Sequence, residues 1–264
     1  MAILYDPNPK AVIEPCECVS PIKDFPALCI STFSRNIVET FAQEQNAPVI
    51  ANLVSANGLF PVYQVCWNGI TAAMYLSPVG APAAAGMMED MIAKGSRYFV
   101  FFGSCGVLDR SIDDGTIIVP THAYRDEGTS YHYLPDSEEL PLESAAINLV
   151  TESLSHLGFY SVAGKVWTTD AFYRETPDKM SLRKSQGCLA VEMECSALAA
   201  VAKFRGVHFA QFLYAADNLD NESWDRRSLG VNQGMDLRHR YLAVAFTCAH
   251  KMRQTLTKGN TACK

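Results

Sequence analysis

The chain has 264 residues, a formal net charge of −6, and 48% hydrophobic against 19% charged residues. That balance belongs to a globular protein rather than a disordered one, and a net-acidic chain offers no field to draw in a nucleic-acid backbone. No apolar run approaches the roughly 20 residues that span a bilayer, MAILYDPNPK lacks the order of a secretory signal, and nine scattered cysteines suit a reduced cytoplasmic interior.

Five of the 13 prolines fall within residues 1–26. Each fixes φ and lacks a donor, which predicts an extended arm lying on the surface or on a neighbouring subunit. Ala27–Ser31 reads as a short apolar strand and Asn36–Gln45 as a helix. Gly58–Ser77 holds two β-branched and aromatic stretches around Asn68-Gly69, a hairpin-turn signal. A small-residue helix follows Pro82 and stops at Gly95. Strands are then expected at Tyr98–Phe102, Thr116–Ala123, Ser161–Thr168, Cys188–Val191 and His208–Ala215, with helices at Glu143–His156, Glu192–Arg205 and Asp236–Gln254. Such alternation predicts one α/β domain over residues 27–257, three-layered (α/β/α) around a central mixed sheet, with a flexible tail at 258–264.

Ligands of open α/β sheets sit where strands end and loops begin. Four such segments stand out: Gly80-Ala81-Pro82, Gly103-Ser104-Cys105-Gly106, Thr169–Tyr173 and Ala215–Asn218. Taken singly, Gly103 and Gly106 read as a tight turn after a buried strand, and Cys105 as an inert buried thiol. Cys16 and Cys18 lack a matching second pair, and His122 and His132 share no ligand spacing, so no metal site is expected. Val191-Glu192-Met193-Glu194 has two readings of equal weight. Two acids in a first helical turn complement the dipole; alternatively, the two oxygens of Glu194 match a vicinal diol.

Together these segments resemble the nucleoside phosphorylase superfamily, which includes purine nucleoside phosphorylases, uridine phosphorylases and methylthioadenosine nucleosidases. The resemblance runs from Ala27 to the last helix and rests on YFVFFGSCGVL, AYRDEGTSYHYLP, TTDAFY and VEMECSALAAVA, in that order. It implies that Met193 packs under a ribose, that Glu194 binds its hydroxyls, and that Phe172 and Glu192 contact the base. It further implies that Asp217 is the catalytic acid serving a purine, and that Arg35, Ser104 and Gly103 hold phosphate. AYRDEGTSYHYLP is closest to the uridine phosphorylase form, whereas Asp217 is a purine-type feature. The family's early phosphate glycine corresponds to Ser31, its partner-subunit arginine falls near Gly58, and the arginine before Gly-Ser is Phe101. Two lost arginines remove about 3–6 kcal/mol of phosphate affinity. The expected activity is phosphorolysis of a nucleoside, a purine one by the Asp217 feature, to free base and ribose 1-phosphate, with phosphate as co-substrate and no cofactor. Hydrolysis by a nucleosidase, uridine phosphorolysis and a non-catalytic nucleoside-binding homologue are the alternatives, in that order. A homo-oligomer, hexamer or dimer, is implied.

Overall fold

The computed structural model describes residues 5–221, 223–230 and 234–256. Its core strand, β5 (Tyr98–Val107), is apolar and buried along nearly its whole length. Parallel neighbours flank it: β1 (Leu28–Thr32) on one side and β10 (His208–Asn218) on the other. Beyond β1 come β4 (Ile70–Leu76), β3 (Gly58–Trp67) and β2 (Val49–Ser55). Asn68 and Gly69 both take positive φ, +48° and +78°, the primed turn that the Asn-Gly pair signals.

On the other side the sheet closes upon itself. β6 (Ile117–Asp126), β8 (Ser161–Thr169) and β9 (Cys188–Glu192) continue from β10 and return to β5. A closed ring has no free edge. A short strand β7 (Glu139–Pro141) adds to β6. Helices cover both faces, as the sequence predicts. α3 (Ala81–Lys94) and α7 (Cys195–Arg205) pack on Phe99 and Phe101. α2 (Arg35–Glu44), α5 (Ser144–His156) and α8 (Met235–Thr255) pack on Val100 and Phe102.

Several boundaries differ from expectation. β5 runs on to Val107, so Gly103–Gly106 is extended strand and not a turn: Gly103, Ser104 and Cys105 pair in register with Leu213, Tyr214 and Ala215. β10 likewise continues to Asn218. α7 starts at Cys195 instead of Glu192, because Glu192 stays in β9 and pairs with Thr168. The sequence reading has no β2, whose face buries only Leu53, and no α6 (Pro177–Ser185), a polar helix burying only Arg183. The other short elements are α1 (Pro15–Cys18), α4 (Ser130–Tyr133) and the 3-10 turn Phe172–Arg174. The tail at 258–264 lies outside the described residues.

The proline-rich arm rests on its own domain. The Ile22 N–H donates to Lys94 O at 3.1 Å, and Phe25 packs over Gly95. Arg205 of α7 donates through Nε to both oxygens of Glu89 in α3, at 3.0 and 2.7 Å, and through Nη1 to Glu14 at 3.1 Å. Glu89 is buried, so removing its cation strands a charge. Arg205→Ala is expected to lower the unfolding free energy by about 3 kcal/mol and to speed proteolysis within residues 10–23, measured by urea denaturation and limited trypsin digestion.

Candidate active site

Gly106 of β5 is the register partner of Asp217 in β10 and of Val191 in β9. The acid and the VEME segment therefore face each other across one strand, about 10 Å apart at two strand spacings. Glycine is required between them: a Cβ at Gly106 would lie 2.5 Å from Leu219 Cδ1 and 3.2 Å from Asp217 Oδ1. Because β9 runs antiparallel to β5, the chain from Val191 onward travels back towards Ser104.

Glu192 is buried, and both its oxygens are used inside the chain. Oε1 accepts from the Thr168 hydroxyl at 2.5 Å, and Oε2 from the N–H groups of Glu194 and Cys195 at 2.8 and 2.7 Å. The resemblance assigns Glu192 to the base; in the fold its carboxyl caps α7 and shapes the bend that presents Met193 and Glu194. Met193 is half-buried in that bend.

Glu194 occupies the N-cap position of α7 with φ −139°, yet its side chain makes no capping bond. It crosses instead to the loop before α3, where Oε1 accepts the Gly80 N–H at 2.5 Å. The dipole-complementing reading therefore fits Glu192, whose carboxyl takes the N–H groups at the start of α7, and does not fit Glu194. Burial, then the Glu192 charge, push the Glu194 carboxyl above its ordinary range against the lowering pull of the Gly80 N–H. Hydroxyl donors from a ligand would relieve that cost.

Asp217 is buried at the end of β10, just past a bulge. Burial raises its carboxyl, while the indole N–H of Trp224 lowers it by donating to Oδ2 at 2.8 Å. Trp224 reaches the acid because Asn218 and Asp225 form a bridge that folds the following loop back. Neither nearby arginine makes this contact: Arg226 donates to Leu229 O, and Arg227 to Asp225 and Ile112 O. Glu175, directly after the Phe172–Arg174 turn, also senses Asp217; burial first and that charge second push it up to about 7. Sequence reading missed both Trp224 and Glu175, since each is brought to the acid by loop geometry alone. Phe172 is 51% exposed and lies against Tyr173 with centroids 4.1 Å apart.

Ser104 opens into a cavity of about 210 Å³ between β5, β10 and the starts of α2 and α8, with Gly103 in its wall. Gly103 is glycine because Phe33 lies over it, 2.7 Å from where a Cβ would be. Phe101 is 0% exposed and packs with Phe33, Tyr75 and Phe209. Its ring belongs to the α3 side of the sheet, while Phe33 supplies the cavity wall. Arg35 begins α2 beside the cavity, but its guanidinium pairs with Glu39 at 2.8 Å and is 68% exposed. The cation that lines the cavity is Arg238 of α8, which the sequence reading did not single out.

The AYRDEGTSYHYLP segment has a structural explanation. Arg125 is buried and ties β6 to the Ser130 hydroxyl and to Pro135 and Ser137. Glu127 accepts from Ser130 and from the Ser196 hydroxyl of α7. Among the described residues no group of three or more His, Cys, Asp or Glu side chains is placed to hold a metal, and no helix is long and apolar enough to cross a membrane.

Two solved structures share this fold: purine nucleoside phosphorylase from Toxoplasma gondii in complex with immucillin-H (TM-score 0.73, 19% identity, 93% of this chain and 99% of that one) and AMP nucleosidase from Bacteroides thetaiotaomicron (TM-score 0.70, 18% identity, 88% and 90%). In sequence, the chain is 26% identical over 176 residues to guanosine phosphorylase of Halorubrum lacusprofundi, spanning 64% of this chain and 70% of that protein. It is also 26% identical over 145 residues to a DeoD-type purine nucleoside phosphorylase of Bacillus cereus, spanning 53% of this chain and 61%, less than two-thirds, of that protein. The pattern described as "Phosphorylase superfamily" matches residues 28–240, and the chain belongs to that superfamily.

Proposed function

We propose that this protein is a purine nucleoside phosphorylase. The observation that carries the reading is the placement of buried Asp217, its carboxyl raised by burial, across Gly106 from the Val191–Glu194 segment that carries Glu194. In this reading Glu194 accepts the 2′- and 3′-hydroxyls of the ribose, with Met193 beneath the sugar and Phe172 stacked on the base. Phosphate enters from the Ser104 cavity and its oxygen forms a bond to C1′ while the C1′–N9 bond breaks. The electron pair leaves with the purine, and Asp217 delivers a proton to N7. The transition state resembles an oxocarbenium ion, so positioning and charge stabilisation supply the catalysis, without organic cofactor or metal. The relatives named as purine and guanosine phosphorylases support the base class. The uridine alternative rests on the AYRDEGTSYHYLP segment, whose Arg125 and Glu127 make bonds inside the chain.

Hydrolysis is the second reading, favoured by one observation: an aromatic cluster at Phe101 where phosphorylases of this group carry an arginine. Incubating a nucleoside panel without and then with phosphate separates the two. Purine nucleosides are expected to outpace uridine and to yield ribose 1-phosphate in proportion to added phosphate. Free ribose at a phosphate-independent rate would make the enzyme a nucleosidase. Glu194→Gln is expected to abolish turnover in either case while leaving the melting temperature within a few degrees.

The proton donor carries a pH signature. Asp217 must be protonated to act, so activity falls as pH rises through its pKa. The Trp224 N–H lowers that pKa, Arg227 lowers it as well, and Asp225 raises it; the raised Glu175 carboxyl stands close by. Trp224→Phe removes a lowering contact, so the basic limb of kcat/KM is expected to move to higher pH, measured with inosine at saturating phosphate.

The reading also places the protein in the cytoplasm as a homo-oligomer. Phe172, Tyr173, Val79 and Trp224 leave apolar surface exposed around the site mouth, and Val54 and Leu59 do so on the β2–β3 hairpin. Light scattering at micromolar concentration is expected to give the mass of a dimer or hexamer; a monomer would remove this part of the reading.

A further inference from the structure

The cavity beside Ser104 has no arginine at the position that the resemblance leads one to expect, yet its chemistry is that of an anion site. We infer that Arg238, in the first turn of α8, is the cation that holds a phosphoryl anion in this chain. The inference rests on the phosphorylase reading of the site and goes beyond it by naming a residue on a different element.

Four observations converge. The cavity, about 210 Å³, exceeds many times the room one water needs and accommodates a tetrahedral anion with its hydration. Arg238 is the one charged side chain among the described residues that line it, and no described lining residue is acidic. The hydroxyls of Ser34 and Ser104 face the same space and have no partner among the described residues, whereas the Ser228 hydroxyl donates to Asp114 at 2.7 Å. Ser34 is moreover the N-cap of α2 with no side-chain capping bond, so its hydroxyl is not spent on its own helix.

The electrostatics agree. The starts of α2 and α8 both border the cavity, and helix N-termini carry partial positive charge. The guanidinium is also held in place: Nη1 donates to Asn36 Oδ1 of α2 at 3.1 Å, which ties the two helix starts together beside the cavity. Arg35, one residue before Asn36, is instead engaged with Glu39 on the outer surface. The aromatic pair Phe33–Phe101 thus stands on one side of β5 where the resemblance leads one to expect an arginine, while Arg238 lines the cavity from the other.

A phosphoryl anion could reach this cavity from two sources, as inorganic phosphate or as the 5′-phosphate of a nucleotide substrate. The test compares the wild type with Arg238→Gln and Arg238→Lys. Thermal stabilisation by inorganic phosphate and by a purine 5′-monophosphate is measured for each, together with KM for phosphate and for inosine. Circular dichroism and the unliganded melting temperature establish that the variants fold. A charge-assisted contact of this kind predicts a phosphate KM raised about 10- to 100-fold in Arg238→Gln, with the inosine KM nearly unchanged and partial rescue by Arg238→Lys. Phosphate-dependent turnover with an unaltered phosphate KM in Arg238→Gln overturns the inference and leaves the phosphorylase reading standing. If phosphate neither stabilises the wild type nor enters the reaction, the phosphorylase reading fails. The inference then survives only if the 5′-monophosphate stabilises the wild type and this stabilisation is lost in Arg238→Gln. Stabilisation by neither anion overturns both.

Discussion

The carboxylate of Glu192 is the contact on which the site depends. It is buried, and a carboxylate in that position is tolerable only when its lone pairs are filled. The Thr168 hydroxyl and the N–H groups of Glu194 and Cys195 fill them. The same three bonds lock β8, β9 and the start of α7 to one another. The bend they enforce is what takes Glu194 out of helical geometry and sends its carboxyl across to the Gly80 N–H. Glu127 extends this buried network through Ser196 to the β6–α4 segment. Charged groups that look like chemistry in the sequence thus include two whose work is to hold a third.

The second constraint is steric and runs along β5. Two glycines, with different jobs, let other groups approach the strand closely. Gly103 admits the Phe33 ring and Gly106 admits Leu219 and the Asp217 carboxyl. Both are extended, so neither is needed for an unusual φ; they are needed because a methyl group would collide. Between them, Ser104 is the strand's exposed position and Cys105 is buried among apolar groups. Burial first, and the Asp217 and Glu192 charges second, raise the Cys105 thiol well above its ordinary range, which keeps it out of nucleophilic chemistry.

Electrostatics divide the site into two halves. On one side stand Glu175, Glu192, Glu194 and Asp217, each raised chiefly by burial. Such carboxyls are suited to accepting hydroxyl hydrogens or holding a proton for a departing base. Around Ser104 there are hydroxyls, two helix starts and one arginine. An acidic half beside a half carrying hydroxyls and one arginine is the charge separation that the proposed group transfer at C1′ calls for.

Much of this was legible in the residue order. Apolar periodicity, the Asn68-Gly69 pair and Gly95 specify the strands, the primed hairpin and the end of α3 because each rests on a local rule of backbone sterics or burial. Glu194, Met193, Phe172, Asp217 and Ser104 were visible as residue types at strand ends. What the order could not settle depended on which distant groups meet. Whether GSCG turns or stays extended was decided by pairing with β10, and whether Glu194 caps its helix by the loop before α3. Glu192's role came from Thr168, twenty-four residues earlier in the chain. Trp224 reaches Asp217 only because a two-residue bridge folds the loop. Arg238 is an ordinary helix residue until α8 docks its first turn against α2. Local sterics are written in neighbours along the chain, whereas charge compensation is written in neighbours through space, and only the folded sheet brings those together.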